Sequence, residues 1–91
     1  MTDEEPGGFV ITPHAADEMR RRGLDASLVR QVLTAPAQRL ATRPGRVVLQ
    51  SRFEIDGKWY LIRVLVDVDR EPAEIVTAYR TSKIDKYWSG E

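Results

Sequence analysis

The spacing of apolar and polar residues changes from a helical to a strand period near the middle of the chain. Before position 36, apolar residues recur three and four positions apart, which predicts helices at about 13–22 and 26–34. From Arg46 onward apolar and polar residues alternate, which predicts strands with one buried face. The predicted fold is α+β, with two N-terminal helices packed on a three- to four-stranded antiparallel sheet and a short C-terminal helix or tail.

Capping residues mark the ends of both predicted helices. Thr12 is a good N-cap, Pro13 suits the first helical position, and Gly23 stands where a helix commonly ends in a left-handed residue. Asp25 caps the second helix, and Pro36 stops it. The short glycine-bearing link between the two segments predicts a helical hairpin.

A tight turn at Asp56-Gly57 predicts a hairpin of two long strands, because this dipeptide favours two-residue turns. Such a turn pairs Ile55 with Lys58 and fixes the register of both strands. One face then carries the apolar residues that the helices cover. The opposite face is half polar and is expected to be open to solvent or a ligand; it carries Gln50, Arg52, Glu54, Trp59, Leu61, Arg63 and Leu65.

The register of a third strand, at about Glu74–Thr81, depends on the loop before it. A five-residue loop at 69–73 places Tyr79 beside Arg63 on the open face and Val76 on the core face. A four-residue loop reverses these faces and buries Tyr79. The first register is favoured because Arg63, in the middle of a strand, otherwise lacks a partner.

The length of 91 residues predicts one domain. We interpret residues 1–8 as a flexible acidic leader, 9–88 as the domain and 89–91 as a tail. The short apolar run at 9–11 is either a small strand or a plug for the core, and 38–42 is a candidate edge strand.

Composition removes several classes of function. The chain has no cysteine and one histidine, so it lacks a disulfide framework and the ligand spacing of a metal site, and no cofactor is predicted. No apolar run approaches the roughly 20 residues of a membrane span, and the acidic start does not resemble a signal peptide, so a cytoplasmic location is expected. The net charge is zero, but three acids lie at positions 3–5, and the remainder carries +3, which permits an RNA partner.

Two segments far apart in the chain carry candidate chemistry. One contains His14-Ala15, Met19 and Arg22-Gly23-Leu24, and the other contains Val76-Thr77-Ala78-Tyr79 followed by Lys83. With the turn at Asp56-Gly57, these residues resemble the domain-of-unknown-function family 4258. That family is similar to BrnT and, more distantly, to the RelE/ParE toxins of the barnase–EndoU–colicin–RelE-like ribonuclease fold. Over residues 9–88 the resemblance implies a RelE-like domain and a metal-independent endoribonuclease toxin, restrained by a cognate antitoxin protein.

Metal-free RNA cleavage needs an acid, a base and cations that stabilise the charged phosphorane. An unperturbed histidine has a pKa near neutrality, so His14, at a helix N-terminus, is the first candidate for proton transfer. We expect the catalytic residues to be His14, Tyr79 and Lys83. The expected substrate-binding and phosphate-binding residues are Arg22, Arg63, Thr77, Arg52 and Gln50.

Each of these residues also has a purely structural interpretation. His14 then bonds backbone or water in the first helical turn, Arg20–Arg22 form a solvated helix end, and Lys83 covers the end of the sheet. Glu18 departs from the family pattern, in which a basic residue often precedes the methionine. The rival hypothesis is therefore a catalytically silent binding module that contacts a protein or RNA through the open face. Zero net charge and Glu18 favour the module; His14, Tyr79 and Lys83 favour the enzyme.

Overall fold

The computed structural model describes residues 4–5 and 8–90, which contain six strands and three helices. In chain order these are β1 (Glu4–Glu5), β2 (Phe9–Ile11), α1 (Pro13–Arg21), α2 (Ala26–Thr34), β3 (Gln38–Arg43), β4 (Arg46–Ile55), β5 (Lys58–Asp67), β6 (Glu74–Thr81) and α3 (Ile84–Tyr87). None of the helices in this described part of the chain has the length and hydrophobicity needed to span a bilayer.

The six described strands form one mixed sheet in the order β1-β2-β6-β5-β4-β3. The β2–β6 pair is parallel and the other neighbours are antiparallel. The α+β class is confirmed, but the prediction of a three- to four-stranded antiparallel sheet is wrong. The predicted N-terminal position of the helices is also wrong, since two strands precede them. β2 has only three residues and its partner lies at the far end of the chain, so no local pattern signals this pairing.

The predicted leader contributes to this sheet. Glu4–Glu5 forms β1 and pairs antiparallel with β2. Residues 1–3 and 6–7, which belong to the same prediction, lie outside the described residues.

Both long helices begin at the predicted caps. The side-chain oxygen of Thr12 accepts a hydrogen bond from the backbone nitrogen of Ala15 at 3.1 Å, and Asp25 accepts one from Ser27 at 2.8 Å. α1 starts at Pro13 as expected, and the chain leaves the helix at Gly23, which has the left-handed φ of 63°. Residues 22–25 link α1 to α2 as expected, and the packing of the two helices against each other as a hairpin stays a prediction.

The hairpin of β4 and β5 has the predicted register, with Ile55 paired to Lys58. In β6, Tyr79 pairs with Arg63, which confirms the first of the two registers considered above. The prediction that Val76 continues the core face is wrong, because the register shifts by a bulge between the partners of Leu65 and Val66. Ile75, rather than Val76, pairs with Val66 and is buried in the core.

The hydrophobic core lies between the two long helices and one face of the sheet. Its buried members are Ala15, Met19, Val29, Val32, Leu33, Val47, Leu49, Ile62, Val64, Val66, Ile75 and Ala78. The prediction that the opposite face is open is wrong, because Gln50 and Leu61 are fully buried there. Contacts from α3 and the residues that follow it cover this face.

Candidate active site

Six of the eight predicted functional residues lie in two networks of hydrogen bonds and ion-pair contacts. One network joins α1 to β6 and contains His14, Arg22 and Thr77. The other lies on the second face of the sheet and contains Gln50, Arg63 and Tyr79. In the described part of the chain, no hydrogen bond or ion pair connects the two networks.

The α1 network is built from a row of side chains spaced four residues apart, so that they share one helix face. His14 Nε2 lies 3.4 Å from Glu18 Oε2, and Arg22 Nη1 lies 3.6 Å from Glu18 Oε1. The row meets β6 beyond the short β2–β6 pairing, where Thr77 Oγ1 donates a hydrogen bond to Glu18 Oε1 at 2.5 Å. Glu18 is thus the residue that links the imidazole, the guanidinium and the strand.

Glu18 remains ionised at neutral pH. The hydrogen bond from Thr77 lowers the pKa of this carboxyl, and the charges of Arg22, His14 and Arg21 lower it further. Partial burial opposes these effects without reversing them. The network therefore holds a fixed negative charge beside the exposed imidazole, whose side chain is 71% accessible.

Arg22 is anchored at one end of its guanidinium group. Its Nη1 donates to Thr77 Oγ1 at 3.0 Å and to the carbonyl oxygen of Ala78 at 2.8 Å. Its Nε and Nη2 make no hydrogen bond within the described residues. A small depression of about 190 Å³, lined by Glu18, Arg21 and Arg22, lies beside it. Two arginine side chains therefore border a concave surface next to the histidine row, as binding of an anion requires.

This arrangement is suited to proton transfer beside an anion. A carboxylate beside a histidine ring stabilises the imidazolium that forms when the other ring nitrogen accepts a proton. Here Nε2 faces Glu18, so Nδ1 is the free nitrogen of His14. Among the described residues, no three His, Cys, Asp or Glu side chains are grouped so as to hold a metal ion.

The second network is centred on Arg63, which crosses the middle of the sheet. Its Nε donates to Gln50 Oε1 at 2.8 Å, and its Nη1 donates to the Tyr79 hydroxyl at 2.7 Å. The ring of Tyr87, from α3, lies over the guanidinium with 4.2 Å between Cζ and the ring centre. The predicted contact between Arg63 and Tyr79 is therefore present, within a covered and hydrogen-bonded layer.

Gln50 and Gln38 tie the C-terminal residues to this layer. Gln50 Nε2 donates to Gln38 Oε1 at 2.7 Å and to the carbonyl oxygen of Tyr87 at 3.2 Å. The Gln38 amide pairs with the backbone of Ser89 in both directions, at 2.6 and 3.1 Å. The side-chain amide thus acts as a peptide group would in a sheet. The positive charge of Lys86 is the main cause of a lowered pKa at the Tyr87 hydroxyl, with smaller effects from Tyr79 and Arg63.

The two remaining predicted residues lie outside both networks. Arg52 is exposed, and its guanidinium lies over the ring of Trp88 with 4.2 Å between Cζ and the ring centre. Lys83 is exposed just before α3. Its backbone nitrogen donates to the hydroxyl of Thr81 at 3.1 Å and its carbonyl oxygen accepts from the backbone nitrogen of Lys86 at 3.2 Å, while its side chain makes no hydrogen bond within the described residues. The functional roles expected of Arg52, Lys83 and the Arg63 network stay predictions.

Sequence reasoning missed the roles of Glu18 and Tyr87. Glu18 was interpreted as a departure from a family pattern, although its spacing of four from His14 and Arg22 was a usable signal for a bridging carboxylate. Tyr87 sits in a four-residue helix near the end of the chain, and no local pattern shows which face such a short segment covers.

The family model of the domain of unknown function DUF4258 matches residues 11–80. The matched span contains the residues of the α1 network on both α1 and β6, together with the paired positions of Arg63 and Tyr79. No curated protein and no solved structure matches the chain.

Proposed function

The chain belongs to the DUF4258 family, and from that premise and the geometry of α1 we propose that it is a metal-independent endoribonuclease. The observation that carries the proposal is the 3.4 Å contact between His14 Nε2 and the ionised Glu18, which is itself held by Thr77. Arg22 and Arg21 border the adjoining depression and supply positive charge for a phosphodiester.

In the proposed reaction, Nδ1 of His14 accepts the proton of a ribose 2′-hydroxyl. The 2′-oxygen then forms a bond to phosphorus, and the bond from phosphorus to the 5′-oxygen breaks. The imidazolium, stabilised by the Glu18 carboxylate, returns the proton to the departing 5′-oxygen. The products are a 2′,3′-cyclic phosphate and a free 5′-hydroxyl, and the free donors of Arg22 offset the charge on the phosphorane.

The direct test is cleavage of a defined single-stranded RNA by purified protein in the presence of EDTA. Loss of His14 should lower the rate by at least about 100-fold, the usual contribution of a general acid–base group. Glu18→Gln should lower it less and move the pH–rate profile to lower pH, because the imidazolium loses its anionic neighbour. Glu71→Gln, which removes an exposed carboxylate from the loop before β6, outside the α1 network, is the matched control and should retain wild-type cleavage. An inert wild-type protein, or equal cleavage by His14→Ala, would refute the proposal.

The toxin role extends the same proposal. It rests on the resemblance of residues 9–88 to BrnT and RelE/ParE proteins, and it places the action on cytoplasmic RNA under the control of an antitoxin. Expression from a tight promoter in a host without an antitoxin should arrest growth and degrade RNA. His14→Ala should abolish both effects, and Tyr79→Phe tests whether the predicted role of this phenol in catalysis is needed. Normal growth with intact RNA would contradict the toxin role.

A second candidate function is a binding module without catalysis. The observation that favours it is the position of Glu18, which contacts both His14 and Arg22 and so neutralises the two groups that a phosphate would need. This candidate predicts that Glu18→Gln strengthens anion binding and that no variant of the α1 network cleaves RNA. Saturable binding of RNA or a protein with no change in RNA length would support it.

A further inference from the structure

A groove of the described surface lies away from the α1 network, at the hairpin end of the second face. It has a volume of about 660 Å³ and is lined by Ala37, Ser51, Arg52, Trp59, Ile84, Asp85 and Trp88. The side chain of Trp59 is unusual among them, since 54% of this large apolar residue is exposed. Exposed tryptophans in a groove are typical of binding surfaces.

Arg52 supplies a second signal for a ligand. Most arginines with side-chain contacts in the described part of the chain pair with a carboxylate. In Arg46, for example, Nε lies 2.6 Å from Asp67 Oδ1. Arg52 instead makes no hydrogen bond or ion pair within the described residues, and its guanidinium is stacked on Trp88. Asp85 also lines the groove but forms no ion pair with Arg52. The guanidinium is therefore ordered by stacking while its donors remain available to an anion.

The sheet register brings Arg52 and Trp59 together. Arg52 pairs with Leu61, and Trp59 pairs with Glu54, so Arg52 and Trp59 are diagonal neighbours on one face of β4 and β5. Diagonal neighbours are within reach of long and aromatic side chains. An exposed indole and a free guanidinium at this separation match the base and the phosphate of one nucleotide.

We infer that this groove is a subsite for single-stranded nucleic acid, with a base stacked on Trp59 and the adjacent phosphate at Arg52. The inference rests on the proposed function for the expectation that the natural strand is RNA. Stacking on an aromatic platform combined with a nearby cation is the usual way in which proteins hold single strands without reading their sequence. The groove would therefore position a strand whose cleavage takes place elsewhere on the domain.

The probe is a fluorescently labelled oligodeoxythymidylate, followed by anisotropy. This strand has no 2′-hydroxyl and cannot undergo the proposed cleavage, so binding is measured independently of catalysis. Trp59→Ala should weaken binding about tenfold, in line with the loss of one stacked base. Arg52→Gln should weaken binding and reduce the slope of log affinity against log salt concentration by about 0.7, the value for one phosphate contact on a single strand.

Two matched variants control for general effects. Arg39→Gln removes the same charge from an exposed position on β3, outside the groove, and Val68→Ala truncates the other large exposed hydrophobic residue. Both should bind as the wild type does. All four altered residues are exposed, so the variants should fold, which circular dichroism checks.

Several results would overturn the inference. One is the absence of saturable binding by the wild type, and another is unchanged affinity of Trp59→Ala for the oligonucleotide. Equal losses of affinity in Arg39→Gln and Arg52→Gln would indicate diffuse electrostatic attraction. A dimer in solution that Trp59→Ala dissociates would instead identify the groove as an interface between two copies of the chain. Binding that depends on Trp59, together with RNA that is never cleaved, would support the subsite and refute the nuclease.

Discussion

Arg63 and Tyr79 face each other across the β5–β6 pair, and Arg63 Nη1 donates a hydrogen bond to the Tyr79 hydroxyl at 2.7 Å. Tyr87 covers this pair, with its ring edge-on to that of Tyr79 at 6.4 Å between ring centres. The pair therefore joins the middle of the sheet to the C-terminal residues, and its contribution to stability can be measured separately from any role in catalysis.

We expect Tyr79→Phe to lower the free energy of unfolding by about 1 kcal/mol, because it removes one hydrogen bond from a half-buried guanidinium and retains the ring. Urea denaturation measures the change. Tyr60→Phe is the control, since the Tyr60 ring contacts Lys58 and Arg80 while its hydroxyl has no hydrogen-bond partner within the described residues. Equal effects of the two substitutions would contradict a specific bond at Tyr79.

The pairing of Gln38 with Ser89 should hold the C-terminal residues on the sheet. Gln38→Ala removes both hydrogen bonds to the Ser89 backbone, so amide hydrogen exchange over 84–90 should accelerate while the rest of the sheet stays protected. Arg39→Ala, one position along the same strand, should leave this exchange unchanged. Uniform protection in the Gln38 variant would show that the aromatic contacts alone retain the segment.

The ionised state of Glu18 should make stability depend on pH. Its pKa is lower in the folded protein than its usual value of 4.5, so its contribution is fully present above that value and is lost as the pH falls through the lower, folded pKa. The difference in unfolding free energy between the wild type and Glu18→Gln should therefore favour the wild type near neutral pH and shrink in acid. Asp25 and Asp67, whose pKa values are also lowered, are present in both proteins and cancel in this difference. A difference independent of pH would argue against the charged network.

Gly45 and Gly57 allow the cost of a close contact to be separated from the cost of backbone strain. Both have positive φ, at 83° and 80°, and an added Cβ would lie 2.6 Å from Asp69 Oδ2 at Gly45 but would meet no atom within 4 Å at Gly57. Each alanine substitution should cost about 1–2 kcal/mol for the left-handed backbone. Gly45→Ala should cost more, and adding Asp69→Ala should remove the excess. Thermal denaturation of Gly45→Ala, Gly57→Ala, Asp69→Ala and the double variant tests this, and identical losses at both glycines would show that Asp69 simply rotates away.

The sequence predicted those parts of the site that depend on neighbouring residues. The spacing of His14 and Arg22 placed them on one helix face, and the turn at Asp56-Gly57 fixed the register of the long hairpin. The pairing of Arg63 with Tyr79 was also predicted, from the need of a mid-strand arginine for a partner. The sequence did not predict the parallel β2–β6 pair or the bulge at Val76, because both depend on contacts between distant segments.

By itself, the sequence determined the α+β class, both helix caps, the β4–β5 hairpin and the separation of residues between the two faces of these two strands. Each of these follows from backbone preferences and from the period of apolar residues, which act over a few positions. Only the tertiary structure decided that Glu18 joins His14 to Thr77 and that the C-terminal residues cover Arg63. These relationships depend on which segments pack beside β6 and over the second face of the sheet. Packing across the whole domain determines both.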